Sequence, residues 1–142
     1  MCVGFGILGL WQWVERKQIR RVDFSILVLG GFYILTIAAY VLFEEIVINY
    51  RPVLINGNLE ASYPSSTTIL TLCVIPTAML QLRSRIRNRI LRRAVLCIMA
   101  AFVLFMVIGR LLSGVHWFTD IVGGVWLSAG LDMLYAAMCR NE

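Results

Sequence analysis

His116 is the single histidine in 142 residues, and Asp120 stands four positions beyond it. On a helix that spacing puts both side chains on one face, within contact distance. A carboxylate bonded to one imidazole nitrogen fixes the tautomer and leaves the other nitrogen as an acceptor or nucleophile. Arg110 lies just upstream and Arg51 further back. Guanidinium groups suit a planar, bidentate grip on phosphate oxygens. A third element is the string Tyr63-Pro64-Ser65-Ser66-Thr67-Thr68, which runs straight into an apolar segment. Small hydroxyl residues cap the free N–H groups of a helix start, and those same groups form an anion site. Each signal has a plainer alternative: a structural histidine, an ordinary N-cap, and a salt bridge from Arg51 to Glu44 or Glu45. Together they read as phosphoryl transfer without a metal or other cofactor.

The elements that must position these residues are apolar helices. The chain is 60% hydrophobic and only 15% charged, with a mean hydropathy of +0.81. Soluble domains carry about 25% charged residues, so the solvent implied is lipid. Phe24 to Phe43 is an uncharged run long enough to span a bilayer, which takes about 20 residues. Glu44 to Ser66 is a long polar loop with the turn signals Arg51-Pro52, Asn56-Gly57-Asn58 and Tyr63-Pro64. Loops of that length are uncommon unless functional. Thr67 to Leu82 is the next apolar run and contains Pro76, which membrane helices tolerate. A basic connection follows, Arg83 to Arg93, then the apolar runs Ala94 to Leu112 and Ile121 to Cys139, the last interrupted by Asp132. Met1 to Val14 is apolar, lacks the basic start and cleavage site of a signal peptide, and reads as a short or tilted helix or the remnant of a longer one. The expected architecture is an all-α polytopic bundle in one domain, residues 1–142, with four firm spans plus the short N-terminal helix and possible truncation ahead of it.

The net charge of +5 suggests nucleic acid, but the basic residues sit in short runs between apolar segments, which is a topology signal. Arg16, Lys17, Arg20 and Arg21 precede the first span, six arginines fill Arg83 to Arg93, and Arg140 follows the last span. Four spans from Phe24 put all three places on one side, which the positive-inside rule makes cytoplasmic. The other side receives Glu44, Glu45, Glu60 and Asp120, with Arg51 and Arg110 as its only basic residues. Ionisable groups at membrane depth usually face a partner or a cavity and mark function. Cys2, Cys73, Cys97 and Cys139 show no metal or disulfide spacing. Asp132 reads as paired inside the bundle or near a polar pocket, the tryptophans as interface anchors, and the arginine-rich loop as topology, with anionic lipid headgroups as an alternative role.

The arrangement resembles the phosphatidic acid phosphatase type 2 superfamily, the lipid phosphate phosphatases, which includes bacterial undecaprenyl-diphosphate and phosphatidylglycerophosphate phosphatases. Three motifs define it: Lys, six residues, Arg-Pro; Pro-Ser-Gly-His; and Ser-Arg, five residues, His, three residues, Asp. Arg110, His116 and Asp120 match the third, with Gly109 in place of the Ser. Arg51-Pro52 matches the first, and Pro64-Ser65 the second with Ser66 in the Gly place. The family's usual core has six helices. The resemblance implies a phosphohistidine on His116, oriented by Asp120, with Arg51, Arg110 and the amides near Ser65 and Ser66 holding phosphate. It also implies a lipid phosphate or polyprenyl diphosphate substrate, and a site at the extracytoplasmic face of a bacterial plasma membrane.

Two positions depart from the pattern. Glu44 stands where the first motif has Lys, and Thr67 where the second has His. In the family that Lys helps hold phosphate and that His protonates the leaving oxygen, and neither role transfers. Two charges about 4 Å apart interact by roughly 4 kcal/mol at an effective dielectric near 20, so a carboxylate facing phosphate opposes binding. A missing general acid costs about 10²- to 10⁴-fold, less for a good leaving group, which favours a diphosphate substrate. The competing expectations are a catalytically impaired member that binds or transports a phospholipid or polyprenyl phosphate, and a structural membrane subunit.

Overall fold

The structure is a computed structural model and describes residues 24–55 and 57–140, together with Gly4, Ile7 and Trp11. Its helices are α1 (Phe24–Glu45), α2 (Ser66–Arg85), α3 (Arg89–Leu112) and α4 (Phe118–Arg140). Among the described residues there is no strand, only the isolated bridges Tyr50–Ala61 and Ile55–Asn58 in the α1–α2 loop. The expected N-terminal helix, Met1 to Val14, lies outside the described residues apart from the three named.

The apolar runs became helices that extend past them into polar sequence. α1 gains Glu44 and Glu45, and α2 continues through Pro76 to Arg85. α3 begins inside the basic connection, because the Asn88 side chain accepts from the amides of Ile90 and Leu91 and caps it there.

Among the described residues three helices, α1, α3 and α4, are long and apolar enough to cross a membrane. The expectation of four firm spans is corrected at α2. α2 packs against each of the other three and carries Thr68, Thr71, Thr77 and Gln81 on buried positions. An interior helix is shielded from lipid by its neighbours, so it need not be uniformly apolar. Gln81 donates to the Tyr135 hydroxyl at 2.6 Å, and Thr77 to the Cys73 carbonyl at 2.5 Å. α3 is the converse case: Met99 is its single buried residue, and Phe102, Leu104, Phe105 and Ile108 are exposed as lipid-facing side chains would be.

The core joins Val28, Leu29 and Phe32 of α1 to Ile69 and Cys73 of α2 and Tyr135 of α4. The Phe32 and Tyr135 rings meet at 5.2 Å between centroids. Near the loop end, α4 approaches closely through two glycines. A Cβ on Gly124 would lie 3.1 Å from Thr68, and one on Gly123 would lie 2.4 Å from the Tyr63 ring. That contact seats the segment before α2 against the start of α4.

Candidate functional site

His116 is not on a helix. It occupies the connection between α3 and α4, after a turn in which Gly114 has φ +67°, a conformation glycine adopts without steric cost. Asp120 lies in the first turn of α4 and is fully buried. Its Oδ2 accepts from the Trp117 amide at 2.9 Å, the backward half of a capping box.

The expected direct bond between His116 and Asp120 is absent. Nδ1 and Oδ2 are 3.7 Å apart, beyond hydrogen-bond range. The two groups keep the expected contact distance, but His116 precedes the helix and the direct bond is not made. Ser62 fills the gap, with its Oγ 3.2 Å from His116 Nδ1 and donating to Asp120 Oδ2. The Ser62 carbonyl also lies 3.2 Å from Nδ1. A carbonyl can only accept, so in the neutral ring Nδ1 carries the proton. Nε2 is then a bare lone pair, and it is buried without a partner among the described residues. Burial pushes the imidazole below its ordinary pKa, and the Arg51 and Arg110 charges push the same way against Asp120 and the Ser62 carbonyl. The ring is therefore held neutral.

Ser62 carried no sequence signal. It sits in an irregular loop without periodicity, and burial to 2% exposure is what distinguishes it. Its amide donates to the Asn49 carbonyl at 2.8 Å, where the loop doubles back.

The same fold-back sets the partner of Arg51. Its Nε lies 3.3 Å from Glu60 Oε2 and donates to the Ala61 carbonyl. The plainer alternative, a salt bridge from Arg51, is thus present, but with Glu60 rather than Glu44 or Glu45, because the Tyr50–Ala61 bridge brings the two loop arms together. Glu44 instead lines a cleft with Tyr40, Phe43, Ser62, Ser66 and His116.

Arg110, in the last turn of α3, donates from Nη2 to the Thr67 hydroxyl at 2.6 Å, and its Nε is buried without a partner among the described residues. The Ser65 amide is engaged by the Asp120 carbonyl at 3.0 Å, and the Ser65 hydroxyl accepts from Thr68. Ser65 provides no side-chain cap for α2. The amides of Ser66, Thr67 and Thr68 head the helix without intrahelical acceptors, as an anion site requires. Trp117, expected as an interface anchor, donates from its indole to the Tyr50 carbonyl at 2.9 Å and ties the loop to the His116 turn.

The chain thus gathers Arg51, Ser62, Ser66, Thr67, Arg110, His116 and Asp120 at one end of the bundle. Arg83, Arg85 and Arg89 lie at the opposite ends of α2 and α3. A family model described as the PAP2 superfamily matches residues 45–142, a stretch that begins one residue after Glu44 and includes every other residue of this site. No curated protein matches the chain, and no solved structure does.

Proposed function

The chain belongs to the PAP2 superfamily, and from that premise we propose that it is a membrane lipid phosphatase or diphosphatase working through a phosphohistidine on His116. The observation that carries this reading is the state of the imidazole. Its Nδ1 faces the Ser62 carbonyl and hydroxyl, and its Nε2 is buried near two arginines with no hydrogen-bond partner among the described residues.

In the first displacement Nε2 attacks phosphorus, an N–P bond forms, and the P–O bond to the lipid leaving group breaks. Arg51, Arg110 and the amides of Ser66 and Thr67 hold the nonbridging oxygens, a preorganised electrostatic site. Ser65 supports this turn through Asp120 and Thr68. Asp120 balances the charge gained by the phosphorylated ring. In the second displacement water attacks phosphorus, the N–P bond breaks, a proton passes to solvent, and inorganic phosphate leaves.

The preferred substrate is a polyprenyl or other lipid diphosphate. Thr67 is bonded to Arg110 and supplies no imidazole acid, and a departing lipid monophosphate needs protonation less than a lipid alkoxide does. The arginines at the ends of α2 and α3 opposite the site support an extracytoplasmic placement, and the family resemblance supports a bacterial plasma membrane.

The test is phosphate release by the purified protein from a panel of lipid monophosphates and diphosphates, without added metal. Release lost in His116→Gln supports the proposal. No release from any member of the panel overturns it. A second reading, binding or transport of a lipid phosphate without turnover, is favoured by Glu44 in the cleft. It requires binding that is lost in Arg51→Ala and retained in His116→Gln.

A further inference from the structure

Family motifs pair the histidine with the aspartate, yet here a third side chain stands between them. We infer that Ser62 is a positioning residue through which Asp120 acts on His116. This inference rests on the phosphohistidine reading above.

The geometry leaves Asp120 little direct hold on the ring. The carboxylate is 3.7 Å from Nδ1, while the Ser62 hydroxyl contacts both. The hydroxyl has one proton, and the ionised carboxylate can only accept, so that proton goes to Asp120. The oxygen's lone pairs then face Nδ1–H. The serine therefore offers the ring two acceptors, its Oγ and its carbonyl, each at 3.2 Å. Both favour the same tautomer, the one with Nε2 free. Hydrogen bonds in a chain polarise one another, so the carboxylate charge reaches Nδ1 through the hydroxyl. This matters most after attack, when the phosphorylated imidazole carries positive charge. No bond is made or broken at Ser62. Its proton stays on Oγ throughout.

Ser62 is itself braced from several directions. Its amide is held by Asn49. Its neighbour Tyr63 is seated on Gly123, and the next residue but two, Ser65, donates its amide to the Asp120 carbonyl. The segment just after Ser62 is therefore registered to the head of α4 at two contacts, and Ser62 itself is fixed to the opposite arm of the loop.

A double-mutant cycle on kcat tests the relay. Ser62→Ala and Asp120→Asn should each lower kcat by about 10²-fold, as loss of orientation at a reacting group does, with KM little changed. The double variant should be no slower than the slower single variant, because groups acting as a unit are not additive. Ser62→Cys, which keeps a weak donor, should fall between wild type and Ser62→Ala. Multiplicative losses, or a Ser62→Ala enzyme as fast as wild type, would overturn the relay. Because His116 is the single histidine, nitrogen NMR of the histidine-labelled protein gives a readout independent of turnover. Wild type should show the Nδ1–H tautomer, and Ser62→Ala should lose part of that preference. An unchanged tautomer ratio in a folded Ser62→Ala protein would refute the inference. An inactive wild type with the tautomer shift intact would instead refute the phosphatase reading and leave the Ser62 contact standing.

Discussion

The Arg110 guanidinium donates to the Thr67 hydroxyl at 2.6 Å, joining the last turn of α3 to the first turn of α2. The position where the family's second motif carries an acid thus serves to hold an arginine. Hydrogen bonds to charged groups contribute about 1.5–3 kcal/mol.

Replacing that hydroxyl should loosen the phosphate grip more than the chemistry. Thr67→Val is expected to raise KM by roughly tenfold with a smaller change in kcat, read from initial rates over a range of lipid diphosphate. Thr67→His combined with Glu44→Lys restores both family residues. Turnover of a lipid monophosphate should rise by about 10²-fold or more, and turnover of a diphosphate should rise less. Equal gains on both would contradict the leaving-group argument.

The pH profile should report the neutral imidazole. Burial, Arg51 and Arg110 lower the His116 pKa, and a lowered pKa keeps the nucleophile deprotonated into more acidic solution. The acid limb of kcat/KM should therefore fall below the ordinary histidine value of about 6.5. Arg51→Ala removes one cation that disfavours protonation, so it should move the limb upward as well as raise KM. An acid limb above the ordinary value in wild type would contradict the electrostatic account.

Gly123→Ala places a methyl group 2.4 Å from the Tyr63 ring. The ring must move, and overpacking of this kind costs about 1–3 kcal/mol. Thermal unfolding in detergent should show that loss, and kcat should fall with it because Ser62 adjoins Tyr63. Gly124→Ala, where the nearest atoms are 3.1 Å away on Thr68, should cost less. If Gly123→Ala matched wild type in both respects, the Tyr63 contact would not be what seats the loop.

Much of the fold was legible because α1, α3 and α4 meet the test of length and apolarity directly. α2 was legible as an apolar run but was counted as a firm span, and it falls short of that test. Hydropathy cannot tell that its threonines and Gln81 face other helices. Residue types and spacing also marked Arg51, Arg110, His116 and Asp120, since few physical reasons place such groups at membrane depth.

Partners were a different matter. Glu60 holds Arg51 because a loop folds back on itself, and nothing in local periodicity selects Glu60 over Glu44 or Glu45. Ser62 was invisible for the same reason. The sequence alone marked Arg51, Arg110, His116 and Asp120 as candidates, their order along the chain and the membrane setting, because side-chain type and hydropathy are local properties. Tertiary structure decided that Asp120 meets His116 through Ser62 and that Arg110 rests on Thr67. Those contacts join residues distant in sequence, and a loop that doubles back and helices that pack closely set them by a few ångströms.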